Sequence, residues 1–302
     1  MAEVKQWRGK TSGGKFGQKF LLTTLKYVRV TAFYPWLLLI IPFCLLFARK
    51  PNRALYRYFH DIRGYNRWKA FRSTARNAHT FGKVVIDKFA IWAGRSDQFT
   101  IDLHGGEVIE EAVSSNKGII IAGSHIGNFE LLGACLKQGK KPINAIVFGG
   151  ESRMLQQSRS DVFGQKNIKL IPVADDMSHL FAIKNALDAG EIVTILCDRI
   201  FGSPKKQTIK FIGHDADFPA GPFRLAALMD IPVFSAFVMK EKGRHYACDI
   251  VPIHSTGESE KDRMTSLVVN YAKSIEDKLK QYPEQWFNLY DFWNLESSKE
   301  NQ

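Results

Sequence analysis

The chain has 302 residues, 45% of them hydrophobic, which supports a sizeable core and excludes a disordered chain. Its net charge of +12 is unevenly spread: residues 1–100 carry 19 Lys and Arg against four acidic residues, while the remainder is close to neutral at −3. That split excludes a nucleic-acid enzyme of the usual kind, whose cationic footprint would line the catalytic body, and points the N-terminal third toward an anionic surface.

In chain order, the first feature is an uncharged stretch over residues 30–48, preceded by Lys26 and Arg29 and closed by Arg49 and Lys50. Its length approaches the roughly 20 residues of a spanning helix, and Tyr34 and Trp36 sit where interfacial aromatics belong. Pro35 and Pro42 would kink such a helix. The stretch reads as membrane contact, either a single span or a broken, half-inserted helix, with a buried core helix as the alternative. Basic residues on both flanks leave its orientation open, and no small-residue cleavage site follows it, which argues against a signal peptide. Residues 51–92 have helical period with aromatics among arginines, as in an amphipathic helix pair that faces body or membrane.

Residues 98–103 can open a sheet and 106–115 reads as a helix. Strands are then predicted at 118–122, 143–148, 168–172, 192–197, 208–211, 233–239 and 247–251. Helices are predicted near 128–137, 153–163, 177–189, 221–229 and 261–281. This alternation predicts an α/β fold with a central, largely parallel sheet flanked by helices. Two units are expected: an N-terminal anchor over 1–50 and a catalytic domain over 51–302, of which 51–97 is helical and partly membrane-facing. Cys44, Cys135, Cys197 and Cys248 are isolated, so neither a disulfide framework nor a zinc site is legible, and a reducing compartment follows.

The run Gly-Ser-His-Ile-Gly-Asn-Phe-Glu-Leu-Leu-Gly (123–133) places His125 and Glu130 at the carboxyl end of a predicted strand, where open α/β sheets put their chemistry. Histidine titrates near neutral pH, and a carboxylate can orient it as a general base. Glu130 falls in the first turn of the next predicted helix, favoured there by the helix dipole and able to reach back to the imidazole. A simple helix-start charge beside a polar loop histidine is the other reading of the pair. The spacing is not that of a His-Glu-x-x-His zinc site, and no metal is expected. Asp198 ends an apolar strand, where a charge needs a role or a partner, and Arg199 beside it could be that partner.

The same run resembles the His-x4-Asp/Glu motif of the lysophospholipid acyltransferase superfamily, in particular its bacterial late lipid A (lauroyl/myristoyl) acyltransferase family, where His-x-Gly-Asn-Trp-Glu is typical. Further similar blocks follow in order: 190–198 ending in Asp198, 209–213 followed by Phe-Pro-Ala-Gly-Pro-Phe-Arg-Leu-Ala (218–226), and Tyr-Pro-Glu-Gln-Trp (282–286). Together they span roughly residues 20 to 293. The resemblance implies a glycerol-phosphate-acyltransferase-like fold with an N-terminal membrane-associated helix. It implies His125 as general base, Glu130 holding the imidazole tautomer, and Asp198 as a further catalytic carboxylate. Substrate-binding roles are expected for Arg159 or, alternatively, Arg153, and for Asn128 and Arg199.

No cofactor is implied; acyl carrier protein or coenzyme A would bring the acyl chain as cosubstrate. Expected partners are acyl carrier protein, a membrane lipid acceptor and an anionic membrane surface, at the bacterial inner membrane with the catalytic domain in the cytoplasm. Lys205, Lys206 and Lys210 form one candidate docking patch for the acidic carrier. Relatives carry Tyr-Arg-Pro before the arginine helix and a second acidic residue at the position of Ile200. Pro219-Ala-Gly-Pro lacks the Glu and Thr of the glycerolipid branch. These departures leave open a non-saccharide acceptor, such as an amino-acid lipid or a pigment precursor. A non-catalytic lipid-binding protein of the same fold is the alternative outside enzymes.

Overall fold

The strands are β1 (Thr100–His104), β2 (Ile119–Gly123), β3 (Ile143–Phe148), β4 (Ile168–Val173), β5 (Ile192–Leu196), β6 (Lys206–Phe211), β7 (His214–Pro219), β8 (Val233–Lys240) and β9 (His245–Ile253), with the apolar runs of the sequence supplying β2, β5 and β8. The computed structural model describes residues 14–136, 141–148, 167–173, 178–200 and 205–293. Seven strands form one sheet in the order β1-β9-β8-β2-β5-β3-β4, and β6 pairs with β7 as a separate hairpin. Within the large sheet β8 and β9 run antiparallel, and the other neighbouring pairs are parallel. The sheet is therefore largely parallel, as the alternation predicts.

Helices are α1 (Gly14–Leu25), α2 (Leu37–Phe47), α3 (Arg49–Arg57), α4 (Arg67–Trp92), α5 (Gly106–Ser114), α6 (Leu132–Cys135), α7 (Ser178–Asp188), α8 (Gly221–Met229) and α9 (Glu260–Gln281). Local chemistry sets their starts. The Asn66 side chain accepts from the Lys69 N–H ahead of α4, and Ser259 with Asp262 forms a capping box at α9.

Every residue of β2 and β8 is buried, so both sheet faces need cover. Ile120 and Ala122 join one core with α7, α8 and α9, through Ile183, Phe223 and Tyr271. Ile119 and Ile121 join the other with α4 and α5, through Ile86, Phe89 and Ile109. The strand period of two thus divides one apolar run between two cores.

Two local expectations are revised. The helix predicted near 128–137 is a 3-10 turn (Phe129–Leu131) followed by the four-residue α6, because the Asn128 N–H is taken by the Val238 carbonyl at 2.7 Å. β7 was not anticipated: its His-Asp-Ala-Asp-Phe-Pro sequence lacks a strand signature. It pairs because Ile212 and Gly213 both adopt positive φ (50° and 78°), a hairpin geometry, while Asp217 accepts from Thr208 and Lys206 across the ladder. The helix predicted at 153–163 lies outside the described residues.

Candidate active site

Parallel pairing brings the site together. β2 and β5 are neighbours with Gly123 opposite Leu196, so His125 and Asp198 each stand two residues beyond matched strand ends. The Cys197 N–H extends the ladder to the Gly123 carbonyl at 2.9 Å. Asp198 is held by three donors. His125 Nδ1 lies 2.8 Å from its Oδ1, the His125 backbone N–H is 2.8 Å from its Oδ2, and the Trp286 indole Nε1 reaches Oδ2 at 3.1 Å.

Electrostatics fix the protonation pattern. Burial alone would raise the Asp198 carboxyl, but the charge and hydrogen bonds of His125, with Arg199 nearby, outweigh it and bring the pKa down to about 2. The carboxylate is thus ionised and can only accept, so Nδ1 carries the proton and Nε2 keeps its lone pair. The His125 imidazole is pushed below its usual value, chiefly by burial; Asp198 opposes this, and the charges of Arg199 and Lys88 add to it. A neutral, Nδ1-protonated imidazole with a quarter of its side chain exposed is a base ready to accept a proton.

The loop carrying His125 is clamped from two sides. Gly127 N–H donates to Gln285 O (2.9 Å), Phe287 N–H donates to His125 O (3.0 Å), and Gln285 also bonds both backbone groups of Lys240 on β8. Gly127 has φ +65°, and a Cβ there would stand 2.1 Å from the Val238 carbonyl oxygen, so glycine is required. Asn77 of α4 donates to the Trp286 carbonyl at 2.8 Å and locks the C-terminal segment in turn. Trp286 is fully buried, and its role as a donor to Asp198 was missed, although the Tyr-Pro-Glu-Gln-Trp block already singled it out in the sequence.

Asp198, rather than Glu130, holds Nδ1 of the imidazole, which corrects the role expected of Glu130. The Glu130 side chain is 2% exposed; its Oε1 lies 3.2 Å from Lys88 Nζ and its Oε2 accepts from the Trp92 indole at 3.2 Å. Lys88 and Trp92 are one turn apart on α4, and the ammonium also lies over the Trp92 and Phe129 rings at 4.5 and 5.3 Å. The physical reason is the short 3-10 turn, which carries Glu130 toward α4 instead of stacking it on the imidazole side of a regular helix.

Of the expected substrate-binding residues, Asn128 is 1% exposed and donates to Tyr246 Oη at 3.3 Å, so it is a buried strut of the loop. Arg199 donates to the Phe287 carbonyl at 2.8 Å and lies over the Tyr290 ring at 5.1 Å, tying the site to the C-terminal segment. Arg153 and Arg159 lie outside the described residues. In the expected carrier patch, Lys206 pairs with Asp217 and Lys210 with Asp215, so much of its charge is locally neutralised. Among the described residues no cluster of His, Cys, Asp and Glu could hold a metal ion.

Two further features border the site. An apolar cavity of about 70 Å³ opens against Phe129 and Glu130 and is lined by Leu136, Ile146 and Leu196. Behind the loop, Asp87 of α4 accepts from Lys240 Nζ at 2.5 Å, from Tyr34 Oη at 2.6 Å and from Tyr246 Oη, with Asp87 and Lys240 almost fully buried. Through Tyr246 this cluster reaches Asn128, so the N-terminal layer and the His125 loop share one hydrogen-bonded network.

No curated protein matches the chain significantly. A family model described as bacterial lipid A biosynthesis acyltransferase matches residues 69–294, three-quarters of the sequence and every element that builds the site. The chain belongs to this family, and it is an acyltransferase of the lipid A biosynthesis type.

Proposed function

We propose that the protein moves a fatty acyl chain from acyl carrier protein, or coenzyme A, to a hydroxyl or amine of a lipid-A-like precursor, with His125 as general base. The carrying observation is the Nδ1 contact of His125 with Asp198 at 2.8 Å, which leaves Nε2 as the basic nitrogen. Nε2 takes the proton of the acceptor as its oxygen or nitrogen attacks the thioester carbonyl. Asp198 keeps the tautomer and stabilises the imidazolium. Collapse of the tetrahedral intermediate breaks the carbon–sulfur bond, and the imidazolium proton goes to the departing thiolate. The products are an ester or amide and the free carrier thiol, and no covalent enzyme intermediate is needed.

The apolar cavity beside Phe129 suits the methylenes next to the thioester. The basic, apolar N-terminal layer supports action at a membrane. A reducing compartment, consistent with four free cysteines, supports the cytoplasmic face of the inner membrane. The test is transfer from radiolabelled acyl carrier protein to total membrane lipid by the intact protein and by His125→Ala. Loss of transfer with unchanged circular dichroism is expected; undiminished transfer would overturn the general-base assignment.

A further inference from the structure

We infer that the apolar stretch Val30–Phe47 does not cross the bilayer but lies in one leaflet of an anionic phospholipid membrane, with one side against α4 and the other in lipid. This rests on the reading of the protein as membrane-acting and decides how it is held there.

The stretch is the one candidate span among the described residues, by length and composition. It folds as a 3-10 turn over Val30–Trp36 that continues into α2. Its inner side is fixed to the body over residues 30–37, and α2 continues along α4. The Val30 N–H donates to the Gln98 side chain at 3.0 Å, Tyr34 Oη to Asp87 at 2.6 Å, and Leu37 packs on Gly82, where an added Cβ would stand 2.8 Å from it. The partners fall from 98 through 87 to 82 as the stretch advances from 30 through 34 to 37, so it runs antiparallel beside α4. Leu37 is buried and Ile41, Leu45 and Ala48 are half-buried, continuing the inner stripe at spacings of four, four and three.

That neighbour cannot enter hydrocarbon. Around these contacts α4 carries Arg76, Lys83, Asp87 and Lys88. A bilayer of roughly 30 Å enclosing the stretch end to end would enclose those charges as well. Both flanks return to the same body: α1 and α3 pack on α4, and Arg95 donates to the Lys26 carbonyl at 2.7 Å. The two ends therefore share one side of the membrane.

The outer side is built for lipid. Trp36, Leu39, Phe43, Leu46 and Phe47 are all more than half exposed, an apolar face no soluble surface maintains without cover. Lys26, Arg29, Arg49, Lys50 and Arg53 are exposed at its two ends, where anionic headgroups would meet them. Length and charge complementarity thus select a lipid leaflet as the occupant.

The experiment uses the full chain with Cys44→Ser, in sealed vesicles of anionic phospholipid. Lys19→Cys in α1 and Lys50→Cys in α3, introduced one at a time beside the buried Cys135, Cys197 and Cys248, are probed with a membrane-impermeant maleimide added outside. In-plane insertion predicts both labelled from the same side. Labelling on opposite sides, with binding retained, overturns the inference and leaves the membrane reading standing. Phe43→Glu should weaken vesicle binding by about tenfold or more with its circular dichroism unchanged. If the unsubstituted chain does not bind anionic vesicles at all, the membrane reading itself fails, and this inference with it.

Discussion

Two carboxylates of this protein sit in matching cradles and serve different ends. Asp198, beyond β5, is held by an imidazole and the Trp286 indole; Glu130, in the 3-10 turn, is held by an ammonium and the Trp92 indole. Both are almost fully buried. The difference is the partner. An imidazole can change protonation near neutral pH, which suits the Asp198 cradle to proton transfer; the Glu130 cradle, built on Lys88 and Trp92 of α4, ties the turn to that helix. The lesson is that a motif carboxylate near a histidine is not thereby its orienting group, since the strand register, and not the sequence spacing, chose Asp198.

Breaking the proposed catalytic cradle should have the largest effect. Asp198→Asn should lower kcat by roughly 10²–10⁴, as loss of positioned general-base catalysis does, while Glu130→Gln should leave most of kcat in the folded fraction. Steady-state transfer rates on matched folded protein check this, and equal losses would erase the distinction. Stability should rank the two cradles the other way for their cations. Lys88→Met strands the Glu130 carboxylate in a mostly buried place and should cost about 3 kcal/mol in denaturant unfolding, near the low end for a broken buried pair because Trp92 still donates. A Lys88→Met/Glu130→Gln double variant should recover part of that loss.

The indoles sharpen the comparison further. Trp286→Phe removes one hydrogen bond to a charged group and should cost about 1.5–3 kcal/mol before any packing loss; Trp92→Phe should cost a similar amount without moving the pH profile by more than Lys88→Met does. The smallest effect concerns that profile. Burial holds the His125 imidazole below the ordinary histidine value, so the acid limb of kcat/KM should lie at lower pH than for a free imidazole. Removing the Lys88 cation takes away a charge that lowers the imidazole, so Lys88→Met should shift the limb to higher pH. Removing the Asp198 anion takes away the charge that raises it, so Asp198→Asn should shift the limb to lower pH. Shifts in one direction for both variants would contradict the geometry.

Much of this was legible in the residues. The strands rich in Ile and Val, the helix over Gly221–Met229 and the long α9 follow from period and caps, and His125 with Asp198 stood out as polar groups ending apolar runs. The hairpin strand β7 did not, because its pairing depends on a turn with two positive-φ residues, one of them an isoleucine that sequence rules do not place there. The partners of Glu130 were invisible for a similar reason: Lys88 and Trp92 lie about forty residues away on a helix whose docking onto the loop no local pattern encodes.

By itself, the sequence determined the alternation of buried strands and amphipathic helices, the family block around His125, and a cationic, apolar N-terminal third set against a neutral body. These are local or additive properties, readable from side-chain type and period. Only the tertiary structure decided which carboxylate faces the imidazole, that Trp286 completes that centre, and that Val30–Phe47 lies along α4. Each of those depends on which strands become neighbours and on where a distant helix packs, and long-range contacts of that kind are fixed by the summed burial of the whole core rather than by any segment of the chain.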